Sequence, residues 1–223
     1  MASRMMHLAI ASEICKRLPL EDPERFRLGT LLPDAYVHNI QSATDSHLKY
    51  AFANGQKKTY KLAWFRTQFA DRLLQDSLYT GYYLHLIQDM VFRCFVYTLH
   101  DWDPYPKGNI QKLHNDYKLL NPYIIRQYQL KNHLIIPSDF DSEPIFSIYP
   151  FDTKQLTADF SADFLPYNNG SAFFFTQQMT DDYIKMATEK SLLEYAALQN
   201  NTSAFDEQEW SWEQNPPAIK DYK

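Results

Sequence analysis

Residues 76–100, DSLYTGYYLHLIQDMVFRCFVYTLH, constrain the fold more than any other part of the chain. They are apolar on nearly every side of a helical projection, and a helix of that kind is buried all round. We therefore expect this segment to be the central helix of a helical protein. His85 and Asp89 lie four residues apart in it and so share one face. A carboxylate in an apolar core costs several kcal/mol unless a partner or a metal compensates its charge, so the pair needs an explanation.

Other segments also have apolar residues at helical spacing, and most of their ends are marked by prolines. Helices are predicted for residues 3–18, 24–32, 59–74, 110–130 and 177–199. Ser3 is the expected N-cap of the first helix. Pro33 should end the second, and Pro122 should break the segment that contains it, because the residue before a proline is kept away from the helical conformation. Residues 35–58 are polar and are expected to be loop, apart from a turn of helix near SHLKYAF.

The composition favours one mainly α-helical domain spanning residues 1–223, and a metal that compensated Asp89 would lie inside this helical bundle. Hydrophobic residues make up 45% of the chain, and only 5 glycines are present, which argues against a turn-rich β fold. No repeat or linker divides the chain. Residues 133–175 differ from the rest, because prolines, aromatic residues and acids are mixed there without a period. We expect this stretch to be ordered but irregular in structure and to form an insertion or a lid over the site. A short pair of β-strands within it is left as an alternative.

Charge and targeting signals narrow the classes of partner. The net charge of −5 gives no electrostatic reason to expect nucleic acid. No apolar run reaches the roughly 20 residues of a membrane span, and no signal peptide is recognisable. Cys15 and Cys94 lack the spacing of a metal or redox motif. The sequence thus predicts a soluble cytoplasmic protein whose partner is a small molecule; it does not specify an oligomeric state.

Histidines and aspartates capable of metal binding occur at intervals through the first half of the chain. His7 lies in the first helix, Asp34 follows Pro33, His47 follows in a loop, and His85 with Asp89 comes last. Taken singly, a histidine on an apolar face is more often a satisfied core residue than a ligand. For the pair in the central helix, an internal hydrogen bond is an equally good explanation.

The order of LGTLLPD, SH and GYYLHLIQD, within residues 4–120, resembles the bacterial zinc-dependent phospholipase C family and its S1/P1-nuclease relatives. The resemblance implies five metal ligands: His7, Asp34, His47, His85 and Asp89. It also implies that Asp89 bridges two ions. Neutral imidazole and carboxylate suit Zn²⁺ or another divalent first-row metal. Arg93, His114 and Asp116 are candidates for contacts to the ligands or the substrate.

The chain also departs from the family pattern. Secreted members use an N-terminal tryptophan amine as a ligand, which this chain, beginning Met1-Ala2, does not offer. They have a further histidine where this chain has Phe95, and a later HxxxE pair that His114 and Lys118 do not reproduce. The third metal position is therefore expected to be absent, which leaves one or two ions.

The function that the resemblance implies is metal-dependent hydrolysis of a small, soluble phosphoester. Asp34 would be either a ligand or the base that accepts a proton from water. Two alternatives stay open. One is a non-catalytic metal-binding protein that keeps the fold. The other is a helical metal phosphohydrolase of the HD type, in which His47 or His85, the pair His100-Asp101 and then Asp116 would supply the ligands.

Overall fold

In a computed structural model of the chain, which describes residues 1–36, 40–168 and 170–213, the fold is mainly α-helical, as the sequence predicts. The described helices are α1 (Arg4–Cys15), α2 (Pro23–Leu31), α3 (Ile40–Ser46), α4 (Leu62–Gln68), α5 (Ser77–Arg93), α6 (Asn109–Gln127), α7 (Thr153–Asp163) and α8 (Gln177–Gln199). A short antiparallel sheet has strand order β1 (Lys49–Phe52), β2 (Lys57–Tyr60) and β3 (Trp212–Glu213). Among these helices, none is long and apolar enough to cross a membrane.

Helix α5 is the central element, and its burial explains its unusual composition. Every residue from Ser77 to Phe92 is buried. Asp76 caps the helix by accepting the amide hydrogen of Leu78, which satisfies one of the free donors of the first turn. After Arg93 the helix continues as a π-helical turn, Cys94–Leu99. The prediction of a central helix in residues 76–100 is confirmed.

Helices α1, α2 and α8 pack around α5, and α2 makes the closest approach. Gly29 in α2 and Gly81 in α5 permit it. A Cβ atom at Gly29 would overlap the backbone carbonyl of Leu78, and one at Gly81 would overlap that of Phe26. Because no side chain separates the two backbones, the carbonyl of Thr30 reaches 2.7 Å from Nδ1 of His85. The close crossing therefore connects the fold to the histidine of the central helix.

One hydrophobic core draws side chains from α1, α2 and α4 through α8. The predicted N-cap of α1 is also present, since Ser3 accepts the amide hydrogen of Met6. The short 3₁₀ turn Leu32–Asp34, here called the Asp34 turn, follows α2 directly. Pro33 thus changes the helix type and stops the α-helix close to the predicted end.

Three local predictions are wrong. Residues 49–60 form a β-hairpin and not a loop followed by helix, so the helix predicted for residues 59–74 is shorter, Leu62–Gln68. Ala53, Asn54 and Gly55 all have positive φ in the hairpin turn, a geometry that reverses the chain. Helix α6 runs through Pro122 without a break. A proline removes one amide donor from a helix, and in α6 the packing of the flanking turns outweighs that loss.

The excursion at 133–175 is ordered but differs in detail from the expectation. It contains two 3₁₀ turns, Phe140–Ser142 and Pro144–Ser147, followed by α7. The strand pair that was left open is not present in residues 133–168 and 170–175. Helix α7 is capped by Asp152, whose side chain accepts the amide hydrogen of Gln155. A capping residue within a proline-rich stretch is the local signal for this helix.

We expect Gly29→Ala to lower the free energy of unfolding by about 3 kcal/mol, because an overlap with backbone cannot be relieved by a change of rotamer. Gly55→Ala is the matched control. Gly55 has φ +81° but open space around it, so only the left-handed backbone is penalised, by about 1 kcal/mol. Denaturant unfolding of both variants measures the difference. Equal losses would show that the α2–α5 contact is less tight than described.

Candidate metal centre

Four separate elements bring the predicted ligands to one place in the core. His7 comes from α1, Asp34 from the Asp34 turn, and His47 from the residue after α3; His85 and Asp89 come from α5. The side chains of His7, His47, His85 and Asp89 are completely buried, and that of Asp34 is 10% exposed. The site is thus enclosed on the α5 side and reaches the surface at Asp34.

The ring nitrogens face the carboxylates at closely similar distances. Nε2 of His7 lies 3.5 Å from Oδ1 of Asp89, and Nε2 of His85 lies 3.9 Å from its Oδ2. Nε2 of His47 lies 3.5 Å from Oδ1 of Asp34 and 3.8 Å from Oδ2 of Asp89. Two ligand atoms held about 2.1 Å from one tetrahedral ion lie about 3.4 Å apart. The gaps are therefore too long for good hydrogen bonds and close to the spacing expected around a metal ion.

Two overlapping ligand groups can be distinguished. His7, His85 and Asp89 form one, and Asp34, His47 and His85 form the other, with the ligand atoms of each group within 4.8 Å of one another. Asp89 faces all three histidines, which matches the position of a carboxylate that two ions would share. This buried group of histidines and aspartates could hold a metal ion.

The hydrogen bonds of the Nδ1 atoms show which ring nitrogen carries the proton in His85 and in His47. Nδ1 of His85 lies 2.7 Å from the Thr30 carbonyl oxygen, which can only accept, so Nδ1 carries the proton. The hydroxyl of Ser46 donates to the Pro33 carbonyl at 2.7 Å and therefore accepts from Nδ1 of His47 at 3.1 Å. In the neutral form, both rings direct an Nε2 lone pair towards the carboxylates.

His7 is oriented in the same way by a side chain. Its Nδ1 lies 2.6 Å from Oε1 of Gln88, the residue beside Asp89 in α5. Among the described residues, the Nε2 atoms of His7, His47 and His85 are buried and have no hydrogen-bond partner. Buried polar atoms are rarely left unpaired. Three such atoms facing two carboxylates are compatible with a bound metal ion.

The pKa shifts describe how the group behaves without metal. Burial lowers the pKa of His85 well below its ordinary value and also lowers the pKa of His47. Burial acts in the same direction on His7, but its interaction with Asp89 outweighs burial and raises the pKa. Burial would raise the pKa of Asp89, yet the contact with His7 and nearby positive charge hold it well below its usual range. In the metal-free protein, the favoured place for a proton is therefore between His7 and Asp89, where a metal ion would compete with it.

Two residues to which the sequence did not point, Ala2 and Tyr60, hydrogen-bond directly to Asp89. Oδ1 of Asp89 accepts the amide hydrogen of Ala2 at 3.1 Å, and Oδ2 accepts the hydroxyl of Tyr60 at 3.3 Å. Nε of Arg93 donates to that hydroxyl at 3.4 Å. Arg93 therefore reaches the carboxylate through Tyr60. Of the supporting residues, Arg93 was already a candidate from the sequence, and Gln88 carried a weaker signal, an amide next to Asp89 in an apolar helix.

Two other candidates lie away from this arrangement. Asp116 is buried, and its carboxylate accepts the backbone amide hydrogens of Phe173, Phe174 and Phe175; the predicted contact to a ligating histidine is not among the hydrogen bonds of the described residues. His114 is exposed on α6 and packs its ring near Tyr117. The described hydrogen bonds of Asp116 thus hold the backbone of residues 173–175.

The structure does not bring together the ligands that the HD-type phosphohydrolase alternative requires. His100 and Asp101 are both exposed, beyond the end of the π-helical turn. Asp101 has φ +46° and does not continue a helix. Asp116, the last ligand in that reading, is held by backbone amides. The three residues do not form a metal group in the described part of the chain.

The excursion at 133–175 lies against the Asp34 turn. The amide of Asp152 donates to the carbonyl of Ala35 at 3.0 Å. Arg4 of α1 pairs with Asp163 of α7 at 2.8 Å and with Asp159 at 3.7 Å. The start of α7 is thus fastened beside the partly exposed ligand. Its role as a lid stays a prediction.

Individual aromatic residues of the excursion have different surroundings. The ring of Phe151 packs edge-on against Tyr82 of α5, whereas the hydroxyl of Tyr167 donates to Asn115 of α6. Phe164 packs on Phe160 within α7. Of these, Phe151 is the aromatic side chain that contacts the central helix.

Comparison with known proteins gives no assignment: no family model, no curated protein and no solved structure matches the chain.

Removing metal should lower the melting temperature, because Asp34 and Asp89 would lose the charge that compensates them in the core. The measurement compares thermal melts of the metal-loaded protein before and after treatment with a strong chelator. Elemental mass spectrometry verifies that the metal has gone. Unchanged melting after verified removal would mean that the group does not hold a structurally important ion.

Gln88→Met should weaken metal affinity by about 10- to 100-fold, because it removes the acceptor that orients His7 and leaves a side chain of similar size. Ser191→Ala is the matched control, since this buried hydroxyl belongs to α8 and has no hydrogen-bond partner among the described residues. A chelator competition titration measures both affinities. Equal affinity in the two variants would count against Gln88 as the residue that orients His7.

Proposed function

We propose that the protein is a metal-dependent hydrolase, with zinc as the metal and a small phosphoester as the substrate. The observation that carries the proposal is the set of three buried Nε2 atoms that have no hydrogen-bond partner among the described residues and that face Asp89, with His47 facing Asp34 as well. Histidine and carboxylate ligands without cysteine suit zinc in a hydrolytic site. The ordered resemblance to the zinc-dependent phospholipase C family supports the same reaction class.

The proposed roles follow from the position of each residue. When bound, the metal would lower the pKa of water and neutralise charge on a phosphate oxygen. His7, His85 and Asp89 are locked by the core and suit ligands that hold the ion. Asp34 is the one ligand of the five with an exposed side-chain fraction, 10%. It is therefore placed to meet the substrate and to accept a proton from water as well as to bind metal.

A local positive charge also favours an anionic substrate despite the net negative charge of the chain. Lys49 of β1 lies 5.9 Å from the ring centroid of Tyr60, the residue that donates to Asp89. Burial lowers the pKa of Lys49 to about 7, with Arg93 acting in the same direction and Asp89 opposing. An incoming phosphate group would stabilise the charged form of this amine.

The second candidate is a structural metal protein without activity. It is favoured by the complete burial of four of the five ligand side chains, since structural ions have closed ligand sets. The exposure of Asp34 and the lack of cysteine ligands favour the hydrolase.

Asp34→Asn is expected to leave the protein folded and to reduce turnover by at least about 100-fold, because it removes a charged oxygen that binds metal or accepts a proton. His85→Ala should lose metal as well as activity. Asp139→Asn is the control, since this exposed aspartate lies in the excursion. The assay panel contains phosphomonoesters, phosphodiesters, nucleotides and choline phospholipids, and metal content is measured for each variant.

Two results would contradict the proposal. Metal-loaded protein that is inert across the whole panel would favour the structural alternative. Full activity of Asp34→Asn would reject the role of Asp34, whatever the metal content.

A further inference from the structure

A cavity lies beside Arg93, and none of the five predicted metal ligands lines it. It has a volume of about 260 Å³ and is formed between the end of α5, the π-helical turn and the C-terminal segment that includes β3. Its wall includes Met90, Arg93, Tyr97, Glu209, Trp210 and Trp212. A concave, largely apolar wall with few charged groups is typical of small-molecule sites.

Arg93 is the unusual component of this wall. Its guanidinium lies 3.9 Å from the ring centroid of Trp212 and 5.7 Å from that of Tyr97. Its Nε points inwards to the hydroxyl of Tyr60 at 3.4 Å. Within residues 1–36, 40–168 and 170–213, no carboxylate forms an ion pair with it. Arg93 is part of the cavity lining, and a guanidinium stacked on aromatic rings keeps donors at its edge that can bind an anion.

We propose that this cavity binds a small organic anion, a carboxylate attached to a flat apolar group. The carboxylate would accept two parallel hydrogen bonds from the terminal nitrogens of Arg93, a geometry that the guanidinium offers and an ammonium does not. The flat group would lie against Trp210, Trp212 and Tyr97. Glu209 at the rim disfavours a second negative charge on the ligand, which selects a monoanion over a phosphate dianion.

The proposal is independent of the hydrolase function. It uses none of the five predicted metal ligands, although Arg93 also reaches Asp89 through Tyr60. A ligand that bound the metal would not depend on Trp212, so Trp212→Ala separates the two binding modes.

Phenylacetate and phenylacetamide are matched probes, because they share size and shape and differ in charge. With the full-length, metal-loaded protein, isothermal titration should give a dissociation constant for phenylacetate near or below about 1 mM. The amide should bind at least about tenfold more weakly, because it cannot form a charge-assisted pair. Quenching of tryptophan fluorescence should accompany binding, since Trp210 and Trp212 line the cavity.

Substitutions of the residues that line the cavity test whether the two probes bind there. Arg93→Gln should abolish the preference for the acid, and Arg93→Lys should retain only part of it because the fork of donors is lost. Trp212→Ala should weaken both probes. Arg126→Gln, at an exposed position in α6, is the control for a general loss of positive charge and should leave binding unchanged.

Three results would overturn the proposal. They are equal affinity for acid and amide in the wild type, no binding of phenylacetate up to about tenfold above the expected constant, or an acid preference that survives Arg93→Gln. The last result would place the carboxylate on the metal. Thermal melts of each variant show that the comparison is made on folded protein.

Discussion

The burial of Asp89 in an otherwise apolar helix is the constraint on which the rest of the structure depends. Its charge cannot be left in the core uncompensated, and three imidazoles, the Ala2 amide and the Tyr60 hydroxyl converge on it. These groups arrive from α1, the residue after α3, α5, β2 and the chain start. A single carboxylate thus organises elements from the whole N-terminal half, and a metal ion bound there would connect them further.

The residues that hydrogen-bond to the Nδ1 atoms of the histidines connect the site to the packing of the helices. Thr30 reaches His85 because Gly29 and Gly81 bring the backbones of α2 and α5 into contact. Ser46 orients His47 while bonded to the carbonyl of Pro33, next to Asp34. The same contacts that hold the helices together therefore set the ring orientations. Such coupling gives ligands little freedom to move, which is how proteins preorganise metal sites.

Access to the candidate centre is asymmetric. The helices enclose it on the side of α5, and Asp34 is the ligand that reaches solvent. Helix α7 and the residues before it lie against the Asp34 turn, tied by Asp152 and by the pairs that Arg4 forms. A molecule that approached the centre from this side would pass the excursion, so the segment least regular in sequence adjoins the exposed edge of the site.

The sequence by itself determined the central helix and the main α-helical class, because each depends on patterns within a few turns of chain. The five residues that lie together were implied by the ordered resemblance to a family and not by local pattern. The apolar run of α5 requires burial, and His85 and Asp89 share a face through helical geometry alone. Local pattern failed at residues 49–60, where helical and strand periods compete over short distances, and at Pro122, where packing outweighs the loss of one donor.

Only the tertiary structure decided which groups surround the ligands. The Thr30 carbonyl carries no side-chain signal, and Tyr60 lies 29 residues from Asp89. Asp116 was a candidate in the sequence to accept a hydrogen bond from a histidine. In the structure its carboxylate accepts hydrogen bonds from the backbone amides of residues 173–175. Hydrogen bonds between distant parts of a chain depend on how elements pack, and that information is not contained in local periodicity.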